Sequence, residues 1–342
     1  MRVLVTGATG FLGGHTVAAL HAAGHDVRML ARRADRAHAV LRLHGLAPDA
    51  AEIALGDMTE EAPVREAVAG CDAVVHAAAV YSLDPRDGET MVATGPAGAR
   101  TVIGAALDAG AVRAVHVSSV AAMLTRRRGT VLTPSSPIGD LTSAYYVSKQ
   151  RADQVVRDLQ AAGAPVARFH PAGIIGPLDP HDNETNASLR GLLTGPVAMW
   201  TKEPFGYCDV RDCAAVLVAL AEGRGDDRPA WMPPIAMVDA SQVIAEVTGR
   251  KLRVVRTSAR AAFTALRPMD AVVRRLPRSV PAFPVAGVES FAAGNVVDDQ
   301  RSWEPLGIEP TDIRASVRDT LRWLVQRGDL TAEQAGRAAQ DG

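Results

Sequence analysis

Val3-Leu4-Val5-Thr6-Gly7-Ala8-Thr9-Gly10-Phe11-Leu12-Gly13-Gly14 opens as an apolar, β-prone run that breaks at a glycine and passes into an apolar-periodic segment. The order reads as strand, tight turn, helix. Glycines at 7, 10 and 13 suit a backbone that turns with positive φ, approaches an anionic group closely, or packs a helix on a strand. The new helix presents unpaired N–H groups and the positive end of its dipole, which favour a pyrophosphate. The loop therefore predicts a dinucleotide cradle. A glycine-rich turn opening any α/β domain is the plainer alternative.

Outward from the loop, strand and helix alternate. Residues 11–23 have helical spacing with Gly24 as a stop, 26–31 read as a second strand, and a helix follows to about residue 43. Residues 52–55, 73–76, 113–117 and 166–169 read as further strands; 60–69 and 144–162 read as helices. After the fourth strand only 101–109 reads cleanly as helix, because Gly95-Pro96 interrupts the pattern. A polar loop is expected over 125–142. The alternation predicts a doubly wound parallel sheet covered on both faces. Beyond His170 it decays, leaving expected helices at 209–222, 240–248, 261–275 and 313–325 and strands near 230–232 and 252–256.

With 342 residues, 47% hydrophobic and 22% charged, the composition is that of an ordinary globular enzyme. A net charge of -1 argues against nucleic acid or an anionic membrane as the main partner. Cys71, Cys208 and Cys213 lack metal-ligand spacing and are expected as reduced thiols. His21 and His25 straddle a helix end, and His181-Asp182-Asn183-Glu184 reads as a solvated loop, so no metal is expected. The first strand begins by Val3 and no apolar run is long enough to span a bilayer, so a cytoplasmic protein is expected.

The end of the second strand faces the adenosine ribose, where an acidic residue selects NAD. Here stands Ala31, followed by Arg32 and Arg33, whose guanidinium groups can pair with a 2′-phosphate. NADP(H) is therefore favoured, with NAD(H) still possible. Asp57 is placed to accept the adenine amino group while Met58 packs on the base; its structural reading is an acid at a helix start with Thr59 as N-cap.

Tyr145 and Lys149, four apart at the start of a helix, share a face. A phenol with pKa ~10 exchanges protons poorly at neutral pH, and a neighbouring ammonium favours its phenolate. Ser119 ends the fifth strand, on the sheet edge where ligands bind, and can polarise a carbonyl.

The chain resembles the extended short-chain dehydrogenase/reductase family over nearly its whole length. The resemblance rests on Thr6 to Gly13, Gly56-Asp57, Val74-Val75-His76-Ala77-Ala78-Ala79, Val117-Ser118-Ser119, Tyr145 to Lys149, His170 to Pro177, and Asp209-Val210-Arg211-Asp212. It implies a Rossmann-type α/β sheet with a smaller, irregular C-terminal substrate lobe. Residues 1–170 would bind the dinucleotide, with 209–235 rejoining them, and 171–342 would mostly bind substrate. Ser119, Tyr145 and Lys149 would be the catalytic trio. Gly7, Thr9, Gly10, Phe11, Leu12 and Gly13 would cradle the pyrophosphate. Ala77, Ala78 and Ala79 would pass beneath the cofactor, with Pro171, Ile174 and Lys149 toward the nicotinamide end. Tyr81 and Tyr146 would join Ser119 along the substrate.

The implied reaction is hydride transfer between a nicotinamide and a small carbonyl or alcohol, in a monomer or homodimer. The dihydroflavonol reductase-like branch fits best. A nucleotide-sugar epimerase or dehydratase is the alternative, and a non-catalytic NADP-sensing protein a further one. The chain departs from the family at Gly95, where an asparagine commonly supports a water relay behind the lysine.

Overall fold

In β1 (Arg2–Thr6), Val3 and Val5 point to one face and Leu4 to the other, and all three are fully buried. A strand apolar on both sides needs cover on both sides. The computed structural model describes residues 1–340 apart from 83, 112, 196, 226–227 and 280–284. After β1 come α1 (Phe11–Ala22), β2 (Asp26–Ala31), α2 (Ala34–Leu43), β3 (Glu52–Leu55), α3 (Glu61–Val68), β4 (Ala73–His76), α4 (Gly88–Asp108) and β5 (Arg113–Val117). Then β6 (Val131–Leu132), α5 (Ala144–Ala161), β7 (Val166–Phe169), β8 (Gly173–Ile175), α6 (Glu184–Thr194), β9 (Ala198–Thr201) and β10 (Phe205–Asp209) follow. The chain continues through α7 (Val210–Ala221), β11 (Ala230–Trp231), β12 (Ala236–Val238), α8 (Ala240–Thr248), β13 (Val254–Thr257), α9 (Ala259–Val273) and α10 (Val285–Ala293). It ends with β14 (Val296–Val297), α11 (Ile313–Arg327) and α12 (Ala332–Ala335).

Seven strands form one parallel sheet in the order β11-β7-β5-β4-β1-β2-β3, a Rossmann-like α/β architecture. Val3, Val5, Met29 and Val75 pack with Leu12, Val17 and Leu20 of α1 and Val216 and Leu217 of α7. On the other face Leu4, Leu30 and Val74 pack with Val64 of α3, Ile103 of α4 and Val156 of α5. Strand order reverses between β1 and β4, the switch point outside whose carboxyl ends such sheets bind ligands. The glycine loop leaves β1 there.

The later chain builds smaller units. β8, β10 and β12 form a three-stranded sheet, while β9 pairs with β13 and β6 with β14. β8, β9, β10, β12, α6 and α10 carry no long period and are absent from the sequence expectation; all but α10 are held by a separate core around Ile175, Leu189, Ile244 and Leu321, while Ala286 and Ala293 of α10 pack with Val120, Met123 and Tyr146. The expected 125–142 loop contains β6, and the strand expected at 252–256 starts at Val254.

One helix differs more. α4 runs unbroken through Pro96 from Gly88, thirteen residues earlier than the clean helical spacing at 101. Tertiary packing outweighs the lost N–H of proline: Met91, Ala99, Val102 and Ile103 are buried, and the Met91 carbonyl accepts a hydrogen bond from Ser148 Oγ at 2.6 Å. A Cβ on Gly95 would run into that same hydroxyl. A side chain at this position would displace the Ser148 hydroxyl from its bond to the Met91 carbonyl.

Candidate active site

The glycine loop is fixed by steric fit. Gly7 has φ +70°, and a Cβ there would lie 2.6 Å from the backbone of Ala77 and Ala78 at the exit of β4. A Cβ on Gly13 would collide with the Gly7 carbonyl. The buried Thr6 hydroxyl ties the two strand ends together, lying 2.7 Å from His76 Nδ1 and accepting from the Ala78 N–H at 3.3 Å. Gly10 is the N-cap of α1, which has neither a side-chain cap nor an acidic residue in its first turn. An uncapped, acid-free helix start beside close-packed backbone fits the phosphates of a dinucleotide.

At the ends of β2 and β3 the two arginines differ. The exposed Arg33 is engaged by Asp35 through a two-pronged pair, at 3.0 and 2.6 Å. This pair leaves Arg33 exposed at the surface beside Arg32. Arg32 is also exposed, and its field reaches Asp57. Partial burial opposes ionisation of Asp57, but bonds from the Thr59 N–H (3.0 Å) and hydroxyl (2.7 Å), with Arg32, keep its pKa below the usual carboxylate value. Thr59 is not the N-cap of α3. Glu60 holds that place without a side-chain cap, and the Thr59 hydroxyl donates to Asp57. Met58 packs toward α4, where a Cβ on Gly98 would lie 2.8 Å from its sulfur.

The sheet brings the three chemistry-bearing side chains to one edge. Ser119 follows β5; its Oγ accepts from the Ala121 N–H (3.2 Å) and lies 3.3 Å from the Pro171 carbonyl. Its neighbour Ser118 points into the interior, where its hydroxyl has no partner. Tyr145 is the second residue of α5, and the Ser119 side chain lies near enough to act on its phenol. Burial raises the phenol's pKa, and Ser119 only partly offsets this. The sequence leads one to expect the ammonium of Lys149 to lower it; in the structure desolvation dominates instead. The Tyr81 ring stands edge-on to Tyr145 at 5.1 Å, and the Tyr146 ring at 5.3 Å.

Lys149 lies one turn further along α5. Burial brings its pKa down to about 8, while Asp153, a further turn on, opposes the shift. Burial works against Asp153 too, yet His170, Arg168 and Arg157 hold its carboxyl far below the usual range. His170 Nε2 is 2.9 Å from Asp153 Oδ1, and Arg157 Nε donates to Oδ2 at 2.7 Å. His76 is driven down to about 3 by burial and by Lys149, so it is a neutral ring at physiological pH.

Ile174 lies on β8 opposite Cys208 of β10, one strand from Pro171. Two contributors escape the sequence reading. The ring of His181 donates to the Thr9 carbonyl of the glycine loop at 3.0 Å; its neighbour Asn183 caps α6, so this stretch is more than a solvated loop. Glu289 reaches the start of α5 from α10. Asn183 followed by a helical run is a capping signal that could have been read, whereas nothing near Glu289 marks its target. Among the described residues no helix is long and apolar enough to cross a membrane.

A model of the NAD dependent epimerase/dehydratase family matches residues 3–230. Sterol demethylase protein B of Methylococcus capsulatus is 30% identical over 336 residues, covering 96% of this chain and 99% of that protein. A putative dihydroflavonol 4-reductase of Synechocystis is 28% identical over 332 residues, covering 95% and 94%. The solved structure of Gre2 from Candida albicans, in complex with NADPH, has a TM-score of 0.68 at 18% identity, covering 95% of this chain and 99% of that one.

Proposed function

The chain belongs to the NAD dependent epimerase/dehydratase family, as an NAD(P)-dependent oxidoreductase of the extended short-chain type, and from that premise we propose that it reduces a ketone or aldehyde with NADPH. The observation that carries this reading is the convergence of Ser119, just after β5, and Tyr145, at the start of α5, at the carboxyl edge of the sheet, with Lys149 one turn along the same helix. The named reductases among its relatives support the same reading.

A bound reduced nicotinamide would supply hydride to the carbonyl carbon. Tyr145, kept protonated by burial, donates its proton to the carbonyl oxygen, and the Ser119 hydroxyl orients that oxygen. Lys149, at about 8, is poised to exchange a proton near neutrality. Gly7, Thr9, Gly10, Phe11, Leu12 and Gly13 would hold the pyrophosphate, and Arg32 the ribose phosphate. Asp57 and Met58 would hold the adenine. Ala77, Ala78 and Ala79 would pass beneath the cofactor, Pro171 and Ile174 would border the nicotinamide, and Tyr81 and Tyr146 the substrate. Residues 1–170 with 209–235 form the dinucleotide-binding part in this reading, which the pairing of β11 with β7 and the packing of α7 on α1 support.

Oxidation of NADPH followed against a panel of ketones and aldehydes tests the proposal. Turnover is expected; tight NADPH binding without turnover of any carbonyl would overturn it in favour of a cofactor sensor. Arg32→Ala should weaken NADPH relative to NADH by about tenfold, the loss of a charge-assisted phosphate contact. An unchanged preference would remove Arg32 from the phosphate site.

A further inference from the structure

Helix α5 does not secure its own beginning. It has no acidic residue in its first turn, and Ser143 at the N-cap makes no bond to the helix's first N–H groups. The residues that lead into it are instead held from 146 residues away. Glu289 of α10, only 3% exposed, accepts hydrogen bonds from the backbone N–H groups of Thr142 (3.3 Å) and Ser143 (3.2 Å) and from the Ser143 hydroxyl. One turn before it on α10, the carbonyl of Ala286 accepts from the Tyr146 hydroxyl at 2.5 Å.

These bonds bracket Tyr145: residues 142 and 143 before it and 146 after it are all tied to α10. The Tyr145 phenol is left for Ser119. A buried carboxylate persists only where donors satisfy it, and three donors plus the positive end of α5 do so here. Removing it takes the acceptor from the Ser143 hydroxyl and from the backbone N–H groups of Thr142 and Ser143, and the entry to α5 then loosens.

We propose that Glu289 is the positioning residue for Tyr145, fixing the first turn of α5 so that the phenol meets Ser119 and the substrate oxygen. The inference rests on Tyr145 being the proton donor. It makes α10, in the irregular part of the chain, a working part of the site.

Hydrogen exchange of the segment 138–149, read by mass spectrometry, and steady-state kinetics on Glu289→Ala and Glu289→Gln test it together. In Glu289→Ala, exchange should quicken at the start of α5 while the sheet stays protected. Its kcat should fall about ten- to a hundredfold, with KM and the NADPH dissociation constant within about threefold of the unsubstituted enzyme. Glu289→Gln keeps an acceptor and should recover most of kcat. The proposal is overturned if Glu289→Ala leaves either the exchange at α5 or kcat unchanged, or if kcat falls only in step with the folded fraction. Should the unsubstituted protein turn over no carbonyl, the reductase reading fails. The exchange experiment then decides alone whether Glu289 holds the helix start bearing Tyr145, and unaltered exchange there overturns the inference.

Discussion

The two ends of the cleft are held in shape by different physics. At the glycine loop the fit is steric and made by missing atoms: Gly7 and Gly13 leave no room for a Cβ against Ala77, Ala78 and the loop's own carbonyl. At Tyr145 the fit is polar and made by added atoms, with Ser119 on the phenol and Glu289 and Ala286 on the helix around it. Steric fit tolerates no substitution but needs only neighbours in the sheet. Polar fit can be adjusted by degrees, but it depends on partners far along the chain.

The contrast is broken most severely by Tyr145→Phe. That change removes the proton donor and nothing from the glycine loop, so turnover should fall by about 10³-fold or more while NADPH titration stays near normal. Retention of substantial reductase activity would remove Tyr145 from its role. Gly13→Ala should act at the other end, forcing the loop apart at a cost of about 3 kcal/mol. Denaturant unfolding and dinucleotide titration should both register it, whereas a tolerated alanine would contradict the steric account.

Acid separates the two ends without mutation. His76, bonded to Thr6 beside the glycine loop, has a folded-state pKa of about 3, below its ordinary ~6.5. The unfolded chain binds that proton more tightly, so the stability His76 contributes is complete above about pH 6.5 and is lost as pH falls toward its folded value. The loss should reach about 2 kcal/mol between pH 7 and 5. Asp153, behind Lys149, is also depressed, so its share is present above the ordinary carboxylate value of ~3.9 and is lost only below it. Unfolding midpoints across this range should therefore decline in two stages. A flat profile between pH 7 and 5 would show that His76 is not held neutral by the fold. The smallest effect is expected from Arg33→Ala: an exposed pair with Asp35 contributes less than about 1 kcal/mol, so stability and cofactor choice should barely move.

Legibility followed the same division. β2, β4, β5 and β7 have the bounds their apolar runs announce, because a strand covered on both faces writes its burial into consecutive residues; the half-exposed edge strand β3 has its expected bounds as well. Ser119 and Tyr145 meet because doubly wound topology carries both to one edge. The reading went astray where a distant partner overrules a local signal. Pro96 reads as an interruption, yet α4 continues through it against α5. Thr59 reads as a cap, yet its hydroxyl serves Asp57.

The sequence by itself determined the sheet, the switch point and the residues able to do chemistry, since period, glycine placement and residue type are local properties of a chain. Only the tertiary structure decided that burial raises the Tyr145 phenol, that Ser148 closes the space beside Gly95, and that Glu289 secures the start of α5. Each of these depends on which atoms meet across tens of residues or more, and desolvation and hydrogen bonding are set by those meetings rather than by order along the chain.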